Sequence, residues 1–175
     1  MPHDYTGINT APFHLLLLLR FVQSPAQKNS LRSHVSISHS QLKKLSKSGH
    51  LSEANEMLQG IPCRDVVSWN MMMTGYAKYG HNEEALDLFI KMQLEGHLPN
   101  AITYISSLKA CGHAGARDKI KEIHTEIKKQ ALLEKDPVVG NTLVDMYAKH
   151  GFLSAAQEVF DILPSRDIAA WTALI

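Results

Sequence analysis

An internal repeat limits how this chain can fold more than any other feature of its sequence. Residues 75–80 read Gly-Tyr-Ala-Lys-Tyr-Gly, and they return as Met-Tyr-Ala-Lys-His-Gly at 146–151. Likewise, Pro-Cys-Arg-Asp at 62–65 returns as Pro-Ser-Arg-Asp at 164–167. Such spacing is typical of solenoids, in which each small unit buries its apolar face only by stacking on its neighbours.

The repeats divide the chain into a leader and an array of units of about 31–36 residues each. The leader covers residues 1–34, and the array covers residues 35–175. The complete units are 35–65, 66–100, 101–136 and 137–167, and residues 168–175 begin a fifth unit.

Each unit has the hydrophobic pattern of a helical hairpin. In the second unit, Met72, Met73 and Tyr76 share one helical face, and residues 85–92 form a second one. Between them, Gly80 is typical of a helix that ends in a left-handed residue. The pattern predicts an all-α fold, a right-handed solenoid of helical hairpins. The predicted helices lie at about 36–47, 52–59, 67–78, 82–95, 102–113, 117–131, 138–149 and 153–161.

The composition agrees with a repeat array and excludes several other classes of protein. The 175 residues are 45% hydrophobic, which is too apolar for a disordered chain. Two cysteines cannot form a disulfide framework, and no apolar run is long enough to span a membrane. The net charge of +1 is not that of a typical basic nucleic-acid module, although a near-neutral total can hide a positive face.

The leader differs in composition from the array. It contains a single acidic residue, Asp4, together with three basic residues and a leucine run at 15–19, and Pro25 is expected to break any helix. This composition favours an organelle transit segment. A secretory signal, for which the leucine run is typical, and an unstructured leader are the alternatives.

The units resemble the pentatricopeptide repeat. The resemblance is carried by Val-Val-Ser-Trp-Asn at 66–70, by residues 75–80 and 84–89, and by the closing Pro-Asn at 99–100. The order of unit lengths resembles the plant variant in which canonical, long and short repeats alternate. In those terms 35–65 and 137–167 are short repeats, 66–100 is canonical, 101–136 is long and 168–175 is truncated.

The resemblance implies sequence-specific binding of single-stranded RNA in a mitochondrion or chloroplast, for RNA processing or modification such as editing-site recognition. It also implies that the fifth and last residues of each repeat read one base. Asn70 with Asn100 resembles a pyrimidine-reading pair. Asn141 with Asp167 resembles a uracil-reading pair, and Thr172 resembles a purine reader.

Weaker readers are implied in the other two units. His39 with Asp65 departs from the usual combinations, so its base is open. Ile105 with Asp136 departs too, and an apolar fifth residue fits a long repeat that reads weakly. Asn and Asp at the start of a helix are also common N-caps. Recurrence of asparagine at the same register in two units favours base reading, and both roles can coexist.

No catalytic constellation stands out. The chain lacks a glycine-rich phosphate loop, a His-Glu-x-x-His motif and the Pro-Cys-x-x-Cys motif that a zinc deaminase needs. Cys111, His113 and His124 are the best metal candidates, but without a second nearby cysteine they do not predict a zinc site. We therefore expect no enzyme, cofactor or metal. The expected partners are single-stranded RNA and other editing or processing factors, and neither DNA nor a membrane.

A second class of function is open at this point. The small number of repeats and the lack of strong positive charge favour a protein-interaction scaffold that binds a peptide or helix. Residues 171–175 are mostly apolar, whereas solenoids usually carry polar caps. An uncapped apolar end of this kind suggests either a partner site or a nonfunctional truncated fragment.

Overall fold

The computed structural model describes residues 25–61, 64–164 and 171–172, and every regular element in these ranges is an α-helix. The chain divides into two compact units, Met1–Ser38 and His39–Ile175. Of the compact unit Met1–Ser38, the structure describes only part of one helix. The compact unit His39–Ile175 contains the helical hairpins.

The helices in the described ranges follow the predicted hairpins closely. Their bounds are α1 Pro25–Ser48, α2 Leu51–Gly60, α3 Val66–Lys78, α4 Asn82–Leu94, α5 Ala101–Ala114, α6 Arg117–Lys129, α7 Leu132–Lys135, α8 Pro137–Lys149 and α9 Leu153–Ile162. In this part of the chain, no helix is both long and apolar enough to span a bilayer.

Neighbouring helices of the compact unit His39–Ile175 pack as stacked hairpins. Within hairpins, α3 packs on α4, α5 on α6 and α8 on α9. The first helix of one hairpin also packs on the first helix of the next, α3 on α5 and α5 on α8. The predicted all-α solenoid of helical hairpins is therefore confirmed.

A continuous apolar core joins successive hairpins. Trp69 and Phe89 of one hairpin are buried together with Tyr104 of the next, and the rings of Phe89 and Tyr104 lie 6.1 Å apart between centroids. Leu143 and Phe160 extend the same cluster into the last hairpin. Burial of each large apolar side chain stabilises the fold by about 1.5–3 kcal/mol, which a lone hairpin could not obtain.

Close packing of α1 on α3 depends on a glycine. A Cβ at Gly75 would lie 2.9 Å from the Cβ of Ser46 and 3.2 Å from its carbonyl oxygen, so a larger residue would push the helices apart. At the end of the same contact, the Tyr79 hydroxyl donates to the carbonyl oxygen of Lys47 at 2.6 Å.

Two elements differ from the predicted helices. Helix α1 begins at Pro25, inside the predicted leader, where a break was expected. Proline suits the first helical turn because the N–H that it lacks has no acceptor there. In the third unit, Ala131 adopts a left-handed φ of 52° after α6, and α7 follows as an extra turn with Leu133 buried. The targeting role was predicted for residues 1–34, of which residues 1–24 lie outside the described residues.

Candidate functional site

A groove runs along the first helices of the first three hairpins. Helices α1, α3 and α5 form its walls, and its volume is about 290 Å³. Its lining includes Lys43, Lys47, Val67, Asn70, Asn100 and Ile102. Val67 and Ile102, which hold the same position in successive units, both line it.

The predicted pair Asn70 and Asn100 comes together in this groove. Asn70 lies on α3 and is almost fully buried, and its Nδ2 donates to Oδ1 of the exposed Asn100 at 3.0 Å. Thr103 joins both residues, because its backbone N–H donates to Asn100 Oδ1 at 3.1 Å and its hydroxyl donates to Asn70 Oδ1 at 2.7 Å. Asn100 is also the N-cap of α5, so capping and pairing coexist in this residue.

The fifth and last residues of the first unit meet in the same way. His39 Nε2 lies 3.2 Å from Asp65 Oδ1. Asp65 is the N-cap of α3, and its Oδ1 also accepts the backbone N–H of Ser68 at 2.8 Å. The unusual His–Asp combination is therefore assembled at the same place in its hairpin as the Asn–Asn pair.

The third unit does not form a hydrogen-bonded pair. Ile105 is partly buried against the apolar core, and its side chain has no polar atom to offer. Asp136 caps α8 instead, and its carboxylate accepts the backbone N–H of Val138 at 2.9 Å. That this unit reads its base weakly stays a prediction.

The fourth pair is only partly described. Asn141 occupies the position in α8 that Asn70 occupies in α3, and it is partly buried. Asp167 lies outside the described residues. Thr172 is exposed in a short helical segment. The base-reading role of all these residues stays a prediction.

Sequence reasoning missed a set of exposed aliphatic residues beside the predicted readers. Val67, Ile102 and Val138 are 49%, 57% and 56% exposed, and each is the second residue of its unit. Val67 and Ile102 line the groove near Asn70 and Asn100. The sequence does contain a pattern that could have identified them, because an aliphatic residue recurs at this position in three successive units. Periodicity alone, however, assigns such residues to the core.

Positive charge collects along one side of the groove. Lys43, Lys47 and Lys78 line it, and none of them forms an ion pair with a carboxylate among the described residues. The ammonium of Lys78 is held in place by the carbonyl oxygen of Lys47, to which it donates at 3.1 Å. These lysines make the groove attractive to an anion despite the near-neutral net charge.

The three metal candidates do not gather into a site. Burial raises the pKa of the Cys111 thiol to about 12, so the thiolate that a metal needs is disfavoured. His113 is bonded to the carbonyl oxygen of Lys109, and His124 to the hydroxyl of Tyr147. Among the residues that the structure describes, no cluster of three or more His, Cys, Asp or Glu side chains could hold a metal ion.

Comparison with known families finds the same repeat twice. The model described as the PPR repeat family matches residues 64–113. The model described as PPR repeat matches residues 141–168. The first match contains the Asn70–Asn100 pair and the second begins at Asn141, so both cover predicted reader positions.

Similar proteins occur in Arabidopsis thaliana. A chloroplastic pentatricopeptide repeat-containing protein is 39% identical over 160 residues, which make up 91% of this chain and 26% of that protein. A putative mitochondrial one is 38% identical over 143 residues, or 82% of this chain and 23% of that protein. The chain thus spans about a quarter of the length of these curated relatives.

Solved structures with the same fold include the pentatricopeptide repeat protein PPR10. Its complex with an 18-nucleotide psaJ RNA element superposes with a TM-score of 0.64 at 22% identity, over 79% of this chain and 22% of PPR10. PPR10 from maize superposes with a TM-score of 0.62 at 23% identity, over 85% of this chain and 23% of that chain.

Proposed function

Since this chain is built from pentatricopeptide repeats, we propose that it binds single-stranded RNA in the groove along its first helices and performs no catalysis of its own. One observation carries the proposal. Asn70 and Asn100, which belong to successive first helices, converge to 3.0 Å in a groove that is open to a ligand. Amide groups placed in this way can donate to the edge of a base.

The aliphatic residues beside the pair would hold the base from its two faces. Val67 precedes the pair on α3 and Ile102 follows it on α5, and both are about half exposed. Apolar contact with the faces of a base is tolerant of sequence, whereas hydrogen bonds to its edge are not. In this groove, the aliphatic side chains therefore contribute affinity for RNA, and the asparagines contribute selectivity between bases.

The lysines that line the groove would contact the phosphate groups of the bound RNA. Lys43, Lys47 and Lys78 stand on its α1–α3 side and are free of carboxylate partners in the described ranges. Phosphate contacts of this kind fix the path of the strand without reading its sequence, and they weaken as salt rises.

The finer assignment follows the plant variant with alternating canonical, long and short repeats. We propose a footprint of a pyrimidine at Asn70–Asn100, an unread base at Ile105–Asp136, uracil at Asn141–Asp167 and a purine at Thr172. The organellar relatives support a role in a mitochondrion or chloroplast, in RNA processing or editing-site recognition together with other factors. These relatives are much longer than this chain. Any activity that they have as whole proteins is therefore only proposed for this chain.

The test is fluorescence anisotropy with short single-stranded RNAs at a low, stated salt concentration. Two or three reading repeats give affinities of about millimolar to micromolar, so titrations should reach that range. A purine in place of either predicted pyrimidine should weaken binding about tenfold, or about 1.4 kcal/mol.

Matched variants assign the selectivity to the pair. Asn70→Ala should lower the affinity for the pyrimidine RNA about tenfold, whereas Ile105→Ala, at the same register of the next unit, should change it less than about twofold. Equal binding of all RNAs by all variants would show that charge alone attracts RNA, and the reading function would be rejected.

A protein-interaction scaffold is the second candidate, and exposed leucines favour it. Leu94 and Leu98 are 82% and 80% exposed near the end of the second hairpin. A purified partner that stays bound after nuclease treatment, and is lost in the Leu94→Ser/Leu98→Ser double variant, would support this function. Release of the partner by nuclease would reject it.

A further inference from the structure

The exposed face of α4 carries a stripe of two acidic and two apolar residues. Glu83, Asp87, Ile90 and Leu94 are spaced i, i+4, i+7 and i+11, so they lie on one side of the helix. All four are exposed, Ile90 to 42% and Leu94 to 82%. This set, which we call the α4 stripe, is about 17 Å long, acidic at the start of the helix and apolar at its end. Its spacing is the one by which helices pack side by side.

Leu98, just beyond the end of α4, extends the apolar half of the stripe. It is 80% exposed. The residue at the same register of the third unit is Leu133, which is only 4% exposed because it lies on α7, and α7 packs on α8. A leucine at this register therefore packs on a helix in the third unit, whereas no helix of the described ranges covers it in the second.

The two carboxylates of the stripe have no cation beside them. Neither Glu83 nor Asp87 forms an ion pair within the described ranges. Glu95, which follows Leu94, differs because Arg64 holds it with two hydrogen bonds of 3.0 Å. The negative charge next to the leucines is therefore already neutralised, and the charge at the acidic half of the stripe is not.

The chemistry of the stripe selects among the possible occupants. Its carboxylates repel the phosphates of RNA and of anionic lipids. Charge alone would let α6 of a second copy approach, because Arg117, Lys121 and Lys128 are exposed on it. The exposed residues of α6 include no apolar side chain, however, so this helix would leave the leucines uncovered. A helix that carries both basic and apolar residues on one face satisfies both halves of the stripe.

We propose that the α4 stripe together with Leu98 docks a basic amphipathic helix of another protein. The apolar residues of that helix cover Ile90, Leu94 and Leu98, and its lysines or arginines pair with Glu83 and Asp87. The inference rests on the second candidate function, the interaction scaffold, and names the chemistry of its partner. Since the stripe spans only about three turns, we expect a dissociation constant of about 10–100 μM.

The probe is a synthetic peptide of about 18 residues, stapled so that it stays helical, with two lysines and two leucines at the spacing of the stripe. It is made with the basic half first and with the basic half last, because either helix direction is compatible with the stripe. Binding of the labelled peptide to the full chain is followed by fluorescence anisotropy at a stated salt concentration. Leu94→Ser/Leu98→Ser should weaken binding of the better peptide at least about tenfold.

A charge exchange tests the acidic half separately. Glu83→Lys/Asp87→Lys should weaken binding about tenfold, and a peptide with glutamates in place of its lysines should bind this variant as well as the basic peptide binds the unmodified chain. Glu53→Lys/Glu56→Lys makes the same change in net charge on exposed positions of α2, away from the stripe, and should change binding less than about twofold. Circular dichroism verifies that every variant is folded.

Several results would overturn the proposal. These are no binding of either peptide by the full chain, equal losses in the two charge variants, no recovery with the acidic peptide, or a chain that dimerises through Leu94 and Leu98 in sedimentation experiments. Should a nuclease-resistant partner depend on the leucines while the charge exchange fails, the scaffold function holds and a basic helix is rejected as its partner. RNA affinity should be unchanged in Leu94→Ser/Leu98→Ser, because neither leucine lines the groove.

Discussion

The second and third repeat units share the same helical-hairpin backbone but differ in where they place a polar side chain. The second unit places it toward the groove, and the third places it toward the core. In the second unit, the polar Asn70 faces the groove and the apolar Phe89 lies in the core, 1% exposed. In the third unit, the apolar Ile105 occupies the groove register and His124 occupies the core register of Phe89. The hairpin therefore constrains packing more than it constrains what each face displays.

His124 is tolerated in the third unit because it has a specific partner. Its Nδ1 lies 2.9 Å from the hydroxyl of Tyr147, and the two rings meet edge to face at 5.5 Å. Burial, together with the nearby Lys128 ammonium, lowers the pKa of His124 to about 4, so the ring is neutral at physiological pH. A polar residue can replace phenylalanine here only with such a hydrogen bond and without a charge.

We expect the largest loss of stability at the core position that Phe89 and His124 share. Phe89→Ala should lower the free energy of unfolding by about 3–5 kcal/mol, because it leaves a cavity beside Tyr104. His124→Ala should cost about 2 kcal/mol, since its ring is only partly buried. Urea denaturation followed by circular dichroism measures both losses, and equal losses would show that the two core positions are equivalent.

His124, unlike Phe89, should also make the stability of the chain depend on pH, with a smaller effect. The unfolded chain takes a proton on His124 with a pKa near 6.5, whereas the folded ring takes it only near about 4. The stability is therefore complete above pH 6.5 and is lost as the pH falls toward 4. The full shift corresponds to about 3 kcal/mol at pH 4, and solvent screening of the partly exposed ring reduces the expected loss to about 2 kcal/mol. The measurement is urea denaturation from pH 7 to pH 4.

The control for this pH effect is His124→Phe, which restores the residue type of the second unit. The difference in stability between this variant and the unmodified chain should depend on pH, because all other titrating groups are shared. A difference that stays constant from pH 7 to pH 4 would contradict a neutral, partly buried histidine.

The smallest expected effect transfers the groove chemistry from one unit to the other. Ile105→Asn should give the third unit a polar pair with Asp136 and improve binding of an RNA with uracil at that position about threefold. Ile105→Val keeps an apolar side chain of similar shape and is the matched control. Anisotropy titrations with uracil and adenine at this position test the gain, and an equal gain for both bases would argue against edge reading.

Much of this arrangement could be predicted from local pattern. The recurrence of Gly80 and the apolar faces around it predict the hairpins, and the register predicts that Asn70 and Asn100 belong together. Other features escape such reasoning. Thr103 reads as an ordinary helix residue, and Val67 reads as a core residue, yet one is a buried hydrogen-bond donor and the other is 49% exposed.

The start of α1 and the extra helix α7 also escaped prediction, for related reasons. Proline breaks a helix only in its interior, so Pro25 was compatible with a helix start that its neighbours did not signal. The left-handed φ of Ala131 carries no sequence mark, since alanine otherwise favours helices.

Local pattern in the sequence specifies the helical hairpins, their register and the residue type at each predicted reading position, because periodicity and glycine stops act over a few residues. Which of those residues meet depends instead on how the hairpins pack. Stacking of α3 on α5 brings Asn70, Asn100 and Thr103 within hydrogen-bond distance, although about thirty residues separate the first from the others. Hydrogen bonds are short and directional, so such a cluster exists only once the hairpins have packed.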